Sequence, residues 1–543
     1  MLPADKLLAF SPHQALFRCS VFFFALDVSF AQVCQSYGCV ALCARDIQVA
    51  NRVIVELVYV VQQNKSRMRS YYISLFIILL ITSQTLHAQP TVGLLGYEPG
   101  QQKGYVLFSP IAGTTTYLID KKGLQVNSWI SKYKPGHSAY LLPDGSLLRS
   151  GMLTDSYFKG TGAGGIIERF SWDGKLTWSY TLSDSLQCQH HDIYPMPNGN
   201  ILAIVWEKKA SNEMTFPMTS STPSMIWTEK IVEIHPEGAS GKIVWEWKVW
   251  DHLIQQDDPS KKDFGAVAEH PERISMHYTS AGSTSQTIDW IHLNSISYNA
   301  ELDQIMVSSY GFSEIWIIDH STTTQEAAAH QGGRHNKGGD LIYRWGNPMA
   351  YNRGQAEDRR LFHQHTAYWI PKGYKDEGKI MILNNGIDRP NGNYSSVDVI
   401  APPMLNAKTG TYLVPEGYQP FGPASPAWSY ADSATFRAPN ISGAQRLPNG
   451  NTLICNGPFG HFFEITPQKK VVWQYKSPVW HLGVATQGTT IMGNFVFRST
   501  LYPPDYPAFK GRKLVSGEPI ELNADATIPT MQSQRFVPVR GIQ

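Results

Sequence analysis

The chain has 543 residues and a formal net charge of +2. So even a balance gives no electrostatic reason to expect nucleic acid or an anionic membrane as partner. Aromatic residues make up 12%, with 44 Gly and 34 Pro, and aromatic or β-branched runs cut by Gly, Pro and Asn predict many short strands and little helix.

At the N-terminal end, Met68-Arg69 precedes the apolar run Tyr71–Ile81, which is followed by Leu86-His87-Ala88. A positive start, a short apolar core and a small residue at the cleavage point describe a secretory signal peptide over residues 68–88. The run is short for a membrane span. Residues 1–67 then read as an upstream extension wrongly joined to the protein, the other reading being a genuine leader before a later anchor. Four of the six cysteines (Cys19, Cys34, Cys39, Cys43) lie in that segment without zinc-type spacing. The mature chain is expected to start near Gln89, outside the cytoplasm in the periplasm or as a secreted protein, with no membrane segment. It keeps only Cys188 and Cys455, on different repeat units, where no disulfide is expected.

From Gln89 onward a loose repeat governs the chain. One signature is a strand with aromatics two residues apart, seen at Trp178/Tyr180, Trp245/Trp247, Tyr343/Trp345, Trp428/Tyr430 and Trp473/Tyr475, with a weaker first copy ending at Trp129. Residues two apart share one face of a strand. An apolar strand precedes most copies, as at Ile231–Ile234 and Ile315–Asp319. A second signature is a strand, a Pro-Asn/Asp-Gly type turn and another strand, at Pro143, Pro197, Pro371 and Pro448. Units of four strands repeated six times predict an all-β, six-bladed β-propeller over residues 89–543. The segments 207–228, 248–290 and 401–426 read as long loops inserted in blades.

Six residues before the turn prolines stand His137, His191, His365 and Ser442. His292 falls on the matching strand of the unit whose turn differs, and Arg498 lies six before Pro504. Equivalent positions on equivalent strands form a ring about the axis, so His137, His191, His292, His365 and Arg498 are expected to face one centre. Three uses are open: channel lining through hydrogen bonds, a metal site, and catalysis with histidine as nucleophile and acid/base and Arg498 as anion clamp. No Asp or Glu occupies the ring positions, so no metal and no cofactor is expected.

His190-His191-Asp192, the segment Asp289–Ser295, Gln364–Ala367 and the Leu-Pro-Asn-Gly-Asn turns together resemble the bacterial arylsulfate sulfotransferases. The resemblance covers most of residues 105–510. It implies a six-bladed periplasmic propeller that moves a sulfuryl group from a phenolic sulfate ester to a phenol through a sulfohistidine, with ping-pong kinetics. Its small-molecule partners are a phenolic sulfate donor and a phenolic acceptor. By this resemblance His365 is the nucleophile, His292 and Asn294 are the sulfate-binding and proton-transfer pair, and His191 is the third histidine, with His137 as channel lining. One departure stands out: where the family carries arginine after two serines, this chain reads Ser308-Ser309-Tyr310. Tyr310 donates one hydrogen bond and carries no charge at neutral pH. Either Arg498 or Arg446 takes over, or the substrate differs, or activity is lost. The alternatives are a non-catalytic propeller that binds a ligand or protein, and a propeller hydrolase or lyase acting on another anion.

Overall fold

The computed structural model describes residues 90–154, 156–213, 224–278 and 289–524. The expected signal peptide over 68–88 and the upstream segment 1–67 lie outside these residues. The described chain folds into six four-stranded antiparallel blades. Blade 2 is Pro135–Leu141, Leu147–Met152, Gly165–Phe170 and Leu176–Thr181. Blade 3 is Gln187–Pro195, Ile201–Ala210, Met225–Glu237 and Ser240–Lys248. Blade 4 is Leu293–Asn299, Gln304–Ser309, Glu314–Asp319 and Leu341–Trp345. Blade 5 is His365–Trp369, Ile380–Asn384, Ser396–Ile400 and Trp428–Ala431. Blade 6 is Gly443–Arg446, Thr452–Asn456, His461–Ile465 and Val471–Lys476.

Blade 1 closes the ring. Its outer three strands are Tyr105–Pro110, Thr115–Asp120 and Gln125–Ile130, but its first strand is the late segment Val496–Tyr502. The first strands of successive blades lie against one another all the way round, including blade 6 against blade 1. Gly93–Tyr97 adds a fifth strand to the outer edge of blade 6. The two ends of the described chain therefore meet at the same seam, between blades 6 and 1.

The repeated aromatic strand is the fourth strand of each blade, and its tryptophans reach across to the next blade. Trp129 donates its indole N–H to Ser171 O (2.9 Å), Trp178 to Ser240 O (2.6 Å), Trp345 to Pro423 O (2.8 Å) and Trp473 to Lys121 O (2.8 Å). The second aromatic stacks beside the first, as in Trp178–Tyr180 and Trp473–Tyr475. An indole offers a large apolar face and one donor that must be satisfied when buried, so one residue type both fills the gap between blades and fixes their spacing. The hydrophobic clusters accordingly straddle neighbouring blades: Leu107, Trp129, Leu147 and Phe170 join blades 1 and 2, and Ile370, Val399, Ile454 and Phe463 join blades 5 and 6.

The inserted loops are partly strand. Within 207–228, Glu207 to Ala210 pair with Thr228 to Met225, which lengthens the central hairpin of blade 3. The 248–290 and 401–426 segments carry short two-residue and three-residue strands. Cys188 and Cys455 are buried free thiols in different blades. Among the described residues no helix is long and apolar enough to cross a membrane.

Candidate active site

The first strand of each blade carries the site, and a shared bulge aims its side chains. His137, His191 and Ser442 all have positive φ (91°, 48° and 87°), as does His292 (51°). The ladder register is interrupted at His137, at His191 and, in blade 4, at Asn294. A bulge leaves one residue unpaired and re-aims its side chain. Counted from the irregularity shared by the third and fourth strands, the same position is Asn294 in blade 4 and Phe497 in blade 1. His292 lies two residues before Asn294. Arg498 lies one residue after Phe497, because the turn proline equivalent to Pro143 is Pro503, not Pro504. Successive strand residues face opposite sides, so the expectation that Arg498 joins the ring is corrected. Its guanidinium instead pairs with Asp192 Oδ2 (2.6 Å) and donates to Tyr140 Oη (2.9 Å). Arg446, the other arginine considered as a replacement, pairs with Asp376 (3.1 Å) and bonds Thr452.

Six rings form a closed circle. His137 stacks on His191 (centroids 5.3 Å, 17°), His191 meets His292 edge-on (4.5 Å), His292 meets Tyr310 (5.4 Å), Tyr310 meets His365 (5.7 Å), His365 meets Phe497 (6.4 Å) and Phe497 returns to His137 (4.8 Å). The structure thus brings together four expected histidines and Tyr310. Asn294 is fully buried beside them and donates to Gln364 O (2.7 Å), tying the His292 strand to the His365 strand. Room for the circle depends on Gly162 (φ 90°), where a Cβ would lie 2.0 Å from the His191 ring.

Three of the four histidines are oriented by different groups, while His137 Nδ1 is buried without a hydrogen-bond partner among the described residues. Asn385 Nδ2 donates to the carbonyls of Ala438 (2.6 Å) and Ile441 (3.1 Å), which turns its Oδ1 to His365 Nδ1 at 2.8 Å. An amide oxygen only accepts, so Nδ1 carries the hydrogen and the lone pair of His365 is on Nε2. Burial, together with His292 and His137 nearby, pushes the His365 pKa down to about 3 although the Asn385 contact opposes this. His365 is therefore neutral across the physiological range. His292 donates from Nδ1 to Asp289 Oδ2 at 2.6 Å. His191 Nδ1 meets His190 Nδ1 at 2.9 Å, and His190 Nε2 meets Glu229 Oε2 at 2.6 Å. His363, a neighbour on the His365 strand, packs on Tyr310 (4.4 Å) and bonds its carbonyl (3.0 Å).

Asp289, Glu229, Asn385 and Phe497 were not among the residues singled out from sequence. Asp289 was visible within the His-x-Asn segment, three residues before His292. Glu229 carried a weaker signal, as one of three glutamates on the strand Met225–Glu237. Arg359 was missed as well: it is 8% exposed, donates to Ser313 Oγ (2.8 Å), and Ser313 Oγ also accepts the His363 N–H (3.1 Å).

A cavity of about 1280 Å³ opens at the hairpin-turn end, lined by Tyr140, Asp192, Tyr194, Thr366, Tyr368 and Arg498 among others. Asp192 and Thr366 follow His191 and His365 directly, yet no histidine lines it. Among the described residues, the three ligand-type side chains that converge within metal-binding reach are His252, His330 and Asp340, outside the circle. Both His252 nitrogens are engaged there, by Ala327 O and Asp340 (2.8 Å each), and Arg273 stands 3.8 Å from the same Asp340 oxygen. That arrangement reads as a hydrogen-bond network around Asp340, with His330 exposed.

A model of the arylsulfotransferase (ASST) family matches residues 114–487. The chain belongs to the arylsulfotransferase family. All four circle histidines, Asn294 and Tyr310 fall inside the matched span, whereas Arg498 lies beyond it. No curated protein matches the chain at a significant level. Among solved structures it is similar to a protein of unknown function from Bacteroides caccae, at 10% identity over 74% of this chain and 99% of that one, with a TM-score of 0.40. It is also similar to a protein from Lactobacillus plantarum (8% identity, 74% and 99%, TM-score 0.37) and to streptogramin B lyase (11% identity, 76% and 94%, TM-score 0.35). Likeness at that level adds nothing to the argument.

The buried circle has a cost in acid. Burial pushes His137 down to about 4, His365 to about 3, and His190 and His191 well below the usual imidazole range. The unfolded chain takes up protons near pH 6.5 that the folded chain refuses. Stability from these groups is therefore complete above about pH 6.5 and falls below it, by about 1.4 kcal/mol per unit for each histidine until its folded value is reached. His320, raised to about 9 by Asp303 and Glu233 against the opposing effect of burial, has the opposite sign. Its contribution is lost as pH rises through 9 and stays constant below about 6.5, so it offsets nothing in acid. Urea midpoints are expected to drop steeply between roughly pH 7 and pH 5. An unchanged midpoint would contradict neutral burial of the circle.

Proposed function

We propose that this chain transfers a sulfuryl group from an aryl sulfate ester to a phenolic acceptor through a sulfohistidine at His365. The observation that supports this most is the Asn385 contact, which leaves a neutral His365 with its lone pair on Nε2 inside a circle of other histidines. Sulfuryl transfer, like phosphoryl transfer, needs in-line positioning and stabilisation of the equatorial oxygens more than covalent assistance. His365 Nε2 attacks sulfur as the S–O bond to the phenol breaks. His292, oriented by Asp289, faces the sulfuryl group, and Asn294 holds the His292 and His365 strands in register. His292 or His191 protonates the departing phenolate. The acceptor phenol, deprotonated in turn, takes the sulfuryl group from His365. Tyr310 supplies one neutral donor at the place of the family's arginine, with the Arg359 guanidinium standing behind His363. No cofactor enters these steps. The mature chain, from near Gln89, works outside the cytoplasm.

Two half-reactions at one site predict parallel lines when donor concentration is varied at several fixed acceptor concentrations. Intersecting lines, the mark of a ternary complex, would contradict the covalent route. The second reading is a propeller that binds an aryl anion without turnover. Tyr310 favours it, together with the capture of Arg498 and Arg446 by carboxylates away from the circle. It predicts no phenol release from any aryl sulfate.

A further inference from the structure

Two carboxylates reach the circle, and only one has an evident purpose in holding a ring. Asp289 orients His292 directly. Glu229 touches no circle histidine, yet it is fully buried on the second hairpin of blade 3, opposite Trp206 in the ladder. Its Oε1 accepts the Leu293 N–H (2.9 Å), and its Oε2 lies 2.6 Å from His190 Nε2. His190 is also fully buried, held flat on the Trp206 indole (centroids 4.0 Å, 3°), and its other nitrogen meets His191 Nδ1 at 2.9 Å. One proton lies between each pair of atoms, and every partner is fixed by a second contact. The groups that face this chain are Asp289 towards Glu229, His292 and His137 towards His190 and His191, and His365 towards His191.

We propose that Glu229, His190 and His191 form a proton store that serves both half-reactions, a role that rests on the sulfuryl-transfer reading. Sulfuryl transfer out of the donor liberates a phenolate that needs a proton, and transfer to the acceptor liberates that proton again. At rest the store is loaded: Glu229 holds a carboxylic acid proton, His190 carries its hydrogen on Nδ1 and His191 on Nε2. When the S–O bond of the donor breaks and the S–N bond to His365 forms, His191 Nε2 gives its proton to the phenolate. The hydrogen on His190 Nδ1 passes to His191 Nδ1, and that of Glu229 passes to His190 Nε2. The result is a phenol, a carboxylate at Glu229 and two neutral imidazoles in the other tautomer. The acceptor phenol reverses each transfer as its oxygen takes the sulfuryl group, and no proton is gained or lost over the cycle. The two carboxylates of the site then divide the work. His191 is the catalytic acid and base, while His190 and Glu229 act through it. Burial, with Asp289 adding to it, pushes the Glu229 carboxyl well above its ordinary range, in keeping with a protonated resting state.

The test compares Glu229→Gln and Glu229→Asp with the wild type in the first half-reaction alone, as phenol released in a single turnover from phenyl sulfate and from 4-nitrophenyl sulfate without acceptor. 4-Nitrophenolate departs without help, whereas phenolate needs the proton. Glu229→Gln is expected to slow this first release from phenyl sulfate on the order of 10²-fold and from 4-nitrophenyl sulfate less than about fivefold. The alkaline limb of the phenyl sulfate pH profile, where Glu229 would lose its proton, should disappear in the same variant, and Glu229→Asp should restore part of the difference. Equal losses for both donors, or no loss, in a variant of wild-type melting temperature would overturn the store while leaving sulfuryl transfer standing. A wild type that transfers nothing from either donor would overturn both. Infrared difference spectra of the wild type decide the matter if the variants fail to fold. A carboxylic acid band that vanishes as the sulfohistidine forms supports the store, and its persistence overturns it.

Discussion

Replacing His365 with alanine is expected to lower aryl sulfate turnover on the order of 10⁴-fold or more. The side chain supplies the bond-forming atom, and the neighbouring imidazoles cannot substitute for it in place. His292 points Nδ1 at Asp289, and His191 points Nδ1 at His190, so each of those rings is already committed to another geometry. The ring is nearly buried and its loss leaves a small cavity at the blade 5 strand start, so the variant should stay folded with a modestly lowered melting temperature. Phenol release from 4-nitrophenyl sulfate checks the outcome directly. A folded variant that keeps more than about a hundredth of wild-type turnover would place the nucleophile elsewhere.

His292→Ala is expected to lower kcat by about 10²–10³-fold, the cost of removing one oriented imidazole from a site where charge shifts onto transferring oxygens. Unlike the loss expected for Glu229→Gln, this one should be the same for good and poor leaving groups, because the sulfuryl oxygens are common to every donor. Asp289→Asn should produce a smaller version of the same defect, since an amide at 2.6 Å from Nδ1 orients the ring without the carboxylate's charge. Donor series measured on both variants check this. A loss that grows with the basicity of the leaving phenol would transfer the acid role from His191 to His292.

The fold was legible because propeller blades repeat their chemistry. Tryptophan recurs on the outer strand since in five of the six blades it donates its indole N–H across a blade boundary, and the turn prolines fix where the first strand ends. From those turns alone His137, His191 and His365 can be placed on one ring. The closure was not legible, as nothing local in Val496–Tyr502 says that it fills the inner place of a blade made from residues some 400 positions earlier. The same seam caused the Arg498 error. Two adjacent prolines, Pro503 and Pro504, differ by one residue, and one residue in a strand is the difference between facing the circle and facing away. Glu229 and Asn385 escaped notice because their contacts are made across strands and loops, where sequence spacing carries no information about who meets whom.

The central claim is a covalent sulfohistidine at His365, and intact-protein mass spectrometry tests it most directly. The chain from near Gln89 would be exposed briefly to an activated aryl sulfate at mildly alkaline pH without acceptor, quenched, and mapped by peptide. One added sulfuryl group on the peptide that carries His365, absent from His365→Ala and removed when a phenol is supplied, is the predicted result. A wild type that releases phenol while no peptide gains mass would contradict the covalent route through His365.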